Sequence, residues 1–210
     1  QRSYREDVLL AVQRLHDRFE VESYGELIYG SEAHAEERFA LMAVRSPRWN
    51  PALRSVLVTG GVHGYETSGV HGALRFLEAH ARDYAGRLNL LVVPCVSPWA
   101  YERVQRWNFD ALDPNRCFRA HSPAQESASL MRLVAPLRGQ WFAHIDLHET
   151  TDTDESEFRP AVAARDGKAF VPGTIPDGFY LVDDTANPQG PFQQAIVRAV
   201  GRVTPIASAD

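Results

Sequence analysis

Between Arg54 and Val96 the chain reads as strand, glycine turn, helix and strand, and that order limits the folds open to it. Arg54 to Thr59 is a compact β-branched run. Gly60 and Gly61 permit a sharp turn with close backbone approach, and Thr67 to Ala81 carries Val70, Leu74, Phe76 and Leu77 on a helix-like segment. Leu88 to Val96 is again nearly continuous apolar sequence, with Asn89 its only strongly polar residue, which suits a sheet covered on both faces. The unit is therefore expected to be parallel. A third strand is predicted at Trp141 to His148, where a period of two puts His144, Asp146 and His148 on one face and Ala143, Ile145 and Leu147 on the other.

The flanks add helices and a hairpin. Tyr4, Val8, Leu9, Val12, Leu15 and Phe19 form one apolar stripe over residues 4–19. Val21 to Tyr29 and Phe39 to Val44 read as strands joined by a polar loop, Gly30 to Arg38. Ser97 to Ser122 is irregular and rich in aromatics (Trp99, Tyr101, Trp107, Phe109), as expected of a loop that walls a pocket. Helices are predicted at Pro123 to Leu137 and Phe192 to Val203, with a loop over Glu149 to Glu157 and irregular chain over Pro160 to Thr185. The fold class is α/β, a three-layer αβα domain with a mixed, largely parallel central sheet, and 210 residues suit a single domain.

Composition removes several functions. A net charge of -5 with no basic stripe excludes the footprint of nucleic-acid binding. No apolar run approaches the roughly 20 residues needed to span a bilayer, and the N-terminus lacks a signal-like apolar region. Two cysteines, Cys95 and Cys117, make no disulfide framework, so a reducing, cytoplasmic home is expected. Small molecules are the expected partners, with neither nucleic acid nor membrane.

Chemistry concentrates at the strand-to-helix junction. His63 and Glu66 follow the glycine turn, beyond the carboxyl end of a strand, where open α/β sheets bind ligands. A second His-x-x-Glu pair, His34 and Glu37, falls in the polar loop and reads as solvated surface; spacing alone does not separate the two pairs, but context does. Catalytic zinc takes three protein ligands from His and Glu and leaves a fourth position open. His63, Glu66 and His148 supply that set, with Asp146 placed to orient it. A rival set of His144, His148 and Glu149 fails because Glu149 points away from both histidines on a strand. In Asn115-Arg116 the guanidinium offers a planar fork matched to a carboxylate, and a second arginine nearby could stabilise an oxyanion.

Three ordered blocks, the His63-Gly64-Tyr65-Glu66 turn, Asp113-Pro114-Asn115-Arg116-Cys117-Phe118 and Asp146-Leu147-His148, together resemble the zinc carboxypeptidases of the carboxypeptidase A type and their aspartoacylase and succinylglutamate desuccinylase cousins. The resemblance covers roughly residues 54–150. It implies that His63, Glu66 and His148 bind Zn2+, that Asn115 and Arg116 hold the substrate carboxylate, and that Arg106, with Arg103 close by as the alternative, helps polarise the scissile carbonyl. The implied activity is that of a metallocarboxypeptidase acting through zinc-bound water on a peptide C-terminus; the alternatives are an N-acyl amino acid deacylase and a non-catalytic carboxylate-binding module. Asp146-Leu147-His148-Glu149-Thr150 looks more like the acylase branch than the digestive peptidases. Cys117, between Arg116 and Phe118, departs from many of the peptidases and reads as a small buried hydrophobe. The family's general base is a glutamate on a late strand, and no glutamate follows Glu157. The chain is accordingly expected to be a fragment that ends before that strand.

Overall fold

The structure, a computed structural model, describes residues 2–208. The chain forms two compact units, Gln1–Glu149 and Thr150–Asp210.

The first unit is built on five strands, β1 (Glu20–Ser31), β2 (His34–Arg45), β3 (Arg54–Gly60), β4 (Leu88–Val93) and β5 (Trp141–Leu147), in the order β1-β2-β4-β3-β5. β1 pairs antiparallel with β2 and β2 antiparallel with β4, whereas β3 runs parallel to both β4 and β5. The sheet is mixed, and its parallel part is the strand-helix-strand unit legible in the sequence. A π-helical turn (Arg5–Leu9) leads into α1 (Leu10–Gln13); α2 (Thr67–Ala79), α3 (Pro98–Arg103) and α4 (Gln125–Val134) complete the unit.

Alternation along β3 and β4 explains why both read as continuous apolar runs. Val56, Val58, Leu90 and Val92 join a core that includes Val8 and Val12 at the N-terminus and Val70, Leu74 and Leu77 of α2. Leu57, Leu91 and Val93 project into a second core with Leu130 of α4. Both faces are therefore covered, and the layers are helix, sheet, helix.

Two local expectations in this unit need correction. The polar segment Gly30 to Arg38 is mostly strand, because β1 and β2 continue as a ladder to the pair Ser31↔His34 and turn only at Glu32 and Ala33. Its polarity marks an exposed face of a hairpin: Arg38 bridges Glu26 and Glu36 at 2.7 Å each. The aromatic stretch after Ser97 contains α3, with Pro98 at its first turn, and its rings pack: Phe109 stacks on Tyr29 at 5.3 Å and meets Trp99 edge-on at 5.7 Å. A cavity of about 510 Å³ opens between His34, Glu37, Trp99, Arg103 and Phe109.

In the second unit a π-helical turn (Asp154–Phe158) runs into α5 (Arg159–Arg165), so the acidic run expected as a loop is largely helical, and α6 spans Gly190–Val200. Phe179 and Ile206 form an isolated parallel bridge. Among the described residues no helix is long and apolar enough to cross a membrane.

Candidate metal centre

β3 ends at Gly60, and the chain from Gly61 to Glu66 makes the turn that carries His63 and Glu66. Gly61 adopts φ +61°, and a Cβ on Gly64 would lie 2.0 Å from the carbonyl carbon of Ala100 and 2.1 Å from the amide nitrogen of Tyr101, so the turn rests directly on the backbone of α3. The Ser97 hydroxyl donates to the Val62 carbonyl at 2.7 Å, and Arg2 donates to the carbonyls of Gly64 and Tyr65. The position just before α2 thus holds Glu66 on rigid backbone.

His148 reaches the same point from the end of β5. Gly69, in the first turns of α2, allows close packing there, since a Cβ on it would lie 2.3 Å from the Leu147 carbonyl oxygen. Glu66 consequently sits between the histidines, with Oε1 2.7 Å from Nδ1 of His63 and Oε2 2.7 Å from Nδ1 of His148. The Glu149 amide also donates to Oε2, at 3.2 Å. Among the described residues this is the one group of three or more His, Cys, Asp or Glu side chains whose donor atoms all lie within 4.8 Å of one another.

Two further carboxylates hold the outer edges of the imidazoles. Asp113 Oδ1 lies 3.0 Å from Nε2 of His63, and Asp146 Oδ2 lies 2.8 Å from Nε2 of His148. A carboxylate only accepts, so the outer carboxylates hold each Nε2–H, while each Nδ1 faces the centre and, donating to Glu66 without an ion, is the atom that would give up its proton to bind one. Two inward Nδ1 atoms and a carboxylate could serve as the donor set of a three-ligand divalent-metal site, and the surroundings fit such an ion.

The charges are balanced around that point. Burial alone would raise Glu66, yet its hydrogen bonds to His148 and His63 hold it at about 2. Burial would lower both histidines, but bonds to Asp146 and Glu66 lift His148 to about 10, and bonds to Asp113 and Glu66 raise His63. Burial would raise Asp113; His63, then Arg106 and Arg116, bring it to about 2. Without an ion, protons on the imidazoles neutralise the carboxylates, and metal binding would release them.

The structure brings His63, Glu66 and His148 together and sets Arg106 beside them, its guanidinium 3.2 Å from Asp113 Oδ2 and 3.3 Å from the Tyr65 hydroxyl. Arg103 instead pairs with Glu37 at 2.5 Å and stacks on Trp99, so the His34 and Glu37 pair of β2 is engaged elsewhere. Asn115 donates its amide to Asp113 at 2.9 Å, and Arg116 is exposed on the same short turn, Pro114–Arg116. Cys117 is buried as a free thiol. Asp113 had one legible signal, its place two residues before Asn115. Thr59, which bonds Asp146 at 2.6 Å, had none, since in sequence it is one more β-branched residue of β3.

The profile of the succinylglutamate desuccinylase/aspartoacylase catalytic domain matches residues 52–169, which contain His63, Glu66, Arg106, Asp113, Asn115, Arg116, Asp146 and His148. No curated protein matches the chain significantly. Among solved structures, a candidate metallopeptidase from Shewanella denitrificans OS217 is 25% identical, with a TM-score of 0.55 over 70% of this chain and 52% of its own. Another from Shewanella amazonensis SB2B is 20% identical, with a TM-score of 0.66 over 97% of this chain and 67% of its own. Carboxypeptidase A from Helicoverpa armigera is 15% identical, with a TM-score of 0.53 over 71% of this chain and 46% of its own, and shares the fold. The chain thus spans about half to two thirds of the length of these structures.

Proposed function

The chain belongs to the succinylglutamate desuccinylase/aspartoacylase catalytic-domain family, and on that premise we propose that it hydrolyses an amide bond in a small carboxylate-bearing substrate, using zinc held by His63, Glu66 and His148. The observation that carries this reading is the convergence of two imidazole Nδ1 atoms on the two oxygens of Glu66 at 2.7 Å each. An ion of this kind lowers the pKa of bound water and polarises a carbonyl. Asp113 and Asp146 keep the two imidazoles in the tautomer that presents Nδ1, and the packed turn between His63 and Glu66 fixes their separation.

Arg106 brings a positive charge to the rim of the site while paired with Asp113, the place for a group that stabilises negative charge developing on a substrate oxygen. Exposed Arg116 and neighbouring Asn115 would anchor the substrate carboxylate, a planar two-point contact that lysine could not reproduce. The family match favours an N-acyl amino acid as substrate. A peptide with a free C-terminus is the second reading, favoured by the 25% identity to the candidate metallopeptidase.

A panel of N-acyl amino acids and short peptides, with free and amidated ends, tests both readings on the zinc-loaded protein. Turnover confined to free carboxylates, with KM raised about tenfold or more in Arg116→Ala, supports the assignment. Equal turnover of amidated substrates sinks the role of Arg116. Zinc-dependent binding without turnover would make the protein a carboxylate-recognition module.

A further inference from the structure

The metal ligand His148 is held by a hydrogen-bonded chain that begins outside the site. Thr59, wholly buried on β3, pairs in register with Asp146 of the adjacent parallel strand β5, and Leu57 pairs with His144. Its hydroxyl lies 2.6 Å from Asp146 Oδ1 and 2.8 Å from Nε2 of His144. Asp146 then uses its other oxygen, Oδ2, on Nε2 of His148 at 2.8 Å.

The direction of every proton in this chain follows from chemistry. Asp146 receives a donor on each oxygen, the Thr59 hydroxyl on Oδ1 and His148 Nε2–H on Oδ2, so it acts only as an acceptor. The single hydroxyl proton of Thr59 therefore goes to Asp146, which leaves the Thr59 oxygen as acceptor and makes His144 Nε2–H the donor. The order is His144 to Thr59 to Asp146, with His148 donating to Asp146 from the opposite side.

We propose that Thr59, oriented by His144, is a positioning residue for the metal centre: its hydroxyl fixes the rotation of the Asp146 carboxylate and through it the aim of His148 Nδ1. Serine or threonine at position 59 satisfies the geometry, and an isosteric valine does not, since a methyl group cannot donate to Oδ1 and leaves that oxygen short of a partner. The inference rests on the zinc reading of the His63, Glu66 and His148 cluster, and it adds a determinant on a strand that supplies no ligand.

The test is zinc affinity, measured by competition with a chromogenic chelator, alongside the thermal midpoint of the metal-free protein. The wild-type protein is measured first, and absence of binding there overturns the zinc reading itself. Given wild-type binding, Thr59→Val is expected to weaken affinity about tenfold, with Thr59→Ser within about twofold of wild type. Equal affinity for wild type and Thr59→Val overturns the proposal while leaving the site in place. Equal losses in the valine and serine variants also overturn it, because packing rather than the hydroxyl would then be responsible. Should Thr59→Val not fold, His144→Phe at the exposed sheet edge reads the same chain: a several-fold loss of zinc affinity with an unchanged metal-free midpoint supports the proposal, and unchanged affinity overturns it.

Discussion

Asp113 Oδ1 lies 3.0 Å from Nε2 of His63, a residue 50 positions earlier in the chain. The pair holds Nε2–H of His63 and so orients its ring, while Asp113 also holds Arg106 at 3.2 Å and accepts from the Asn115 backbone amide. Removing the carboxylate should therefore disturb both the proposed metal site and Arg106. Asp113→Ala is expected to lower zinc affinity by about 10- to 100-fold, measured by chelator competition. Unchanged affinity would show that His63 keeps its orientation without this partner.

Gly64 lies where the turn between His63 and Glu66 touches α3. Gly64→Ala would drive a methyl group into the Ala100–Tyr101 peptide, at 2.0 and 2.1 Å, and neither backbone segment can yield without moving His63 or Glu66. A stability loss of about 1–3 kcal/mol is expected in urea unfolding, with weakened metal binding at temperatures where the variant stays folded. A variant as stable as wild type would mean that the turn does not rest on α3.

Glu126 provides a pH signature outside the His63, Glu66 and His148 cluster. It is fully buried on α4, where it accepts from the Tyr29 hydroxyl at 2.6 Å and from Asn108 Nδ2 at 3.1 Å. Burial outweighs those bonds and raises its pKa. The folded state therefore holds this proton more tightly than the unfolded chain, whose glutamate titrates near about 4.3. Its stabilising contribution is complete below that value and is lost as pH rises through the higher folded value. Glu126→Gln should remove this component, so that the unfolding free energy of the variant gains on wild type with rising pH. Parallel pH profiles for the two proteins would contradict the assignment.

Much of the site was legible because its parts are local. The β-branched run of β3, the glycine turn and the helix stripe of α2 are set by near neighbours, so strand, turn and helix follow from residue order, and His63 and Glu66 follow from their place in it. The period of two in Trp141–Leu147 likewise put His144, Asp146 and His148 on one face, and the chain of bonds through Thr59 joins all three. At Gly30 to Arg38 polarity marks exposure as readily as it marks a loop, and only pairing with β1 distinguishes the two.

The sequence by itself determined the donor types, the order of the elements and the apolar patterns that cover both faces of β3 and β4. Tertiary structure decided which atoms meet. Parallel pairing of β3 with β5 set Thr59 beside Asp146, close packing of α2 at Gly69 on the Leu147 carbonyl brought His148 to Glu66, and folding of the loop after α3 put Asp113 behind His63 and turned Arg106, not Arg103, toward the site. The reason is physical. Local pattern records what each residue prefers in its own element, whereas a hydrogen bond between groups 50 or 87 residues apart exists only once packing has fixed both elements in place.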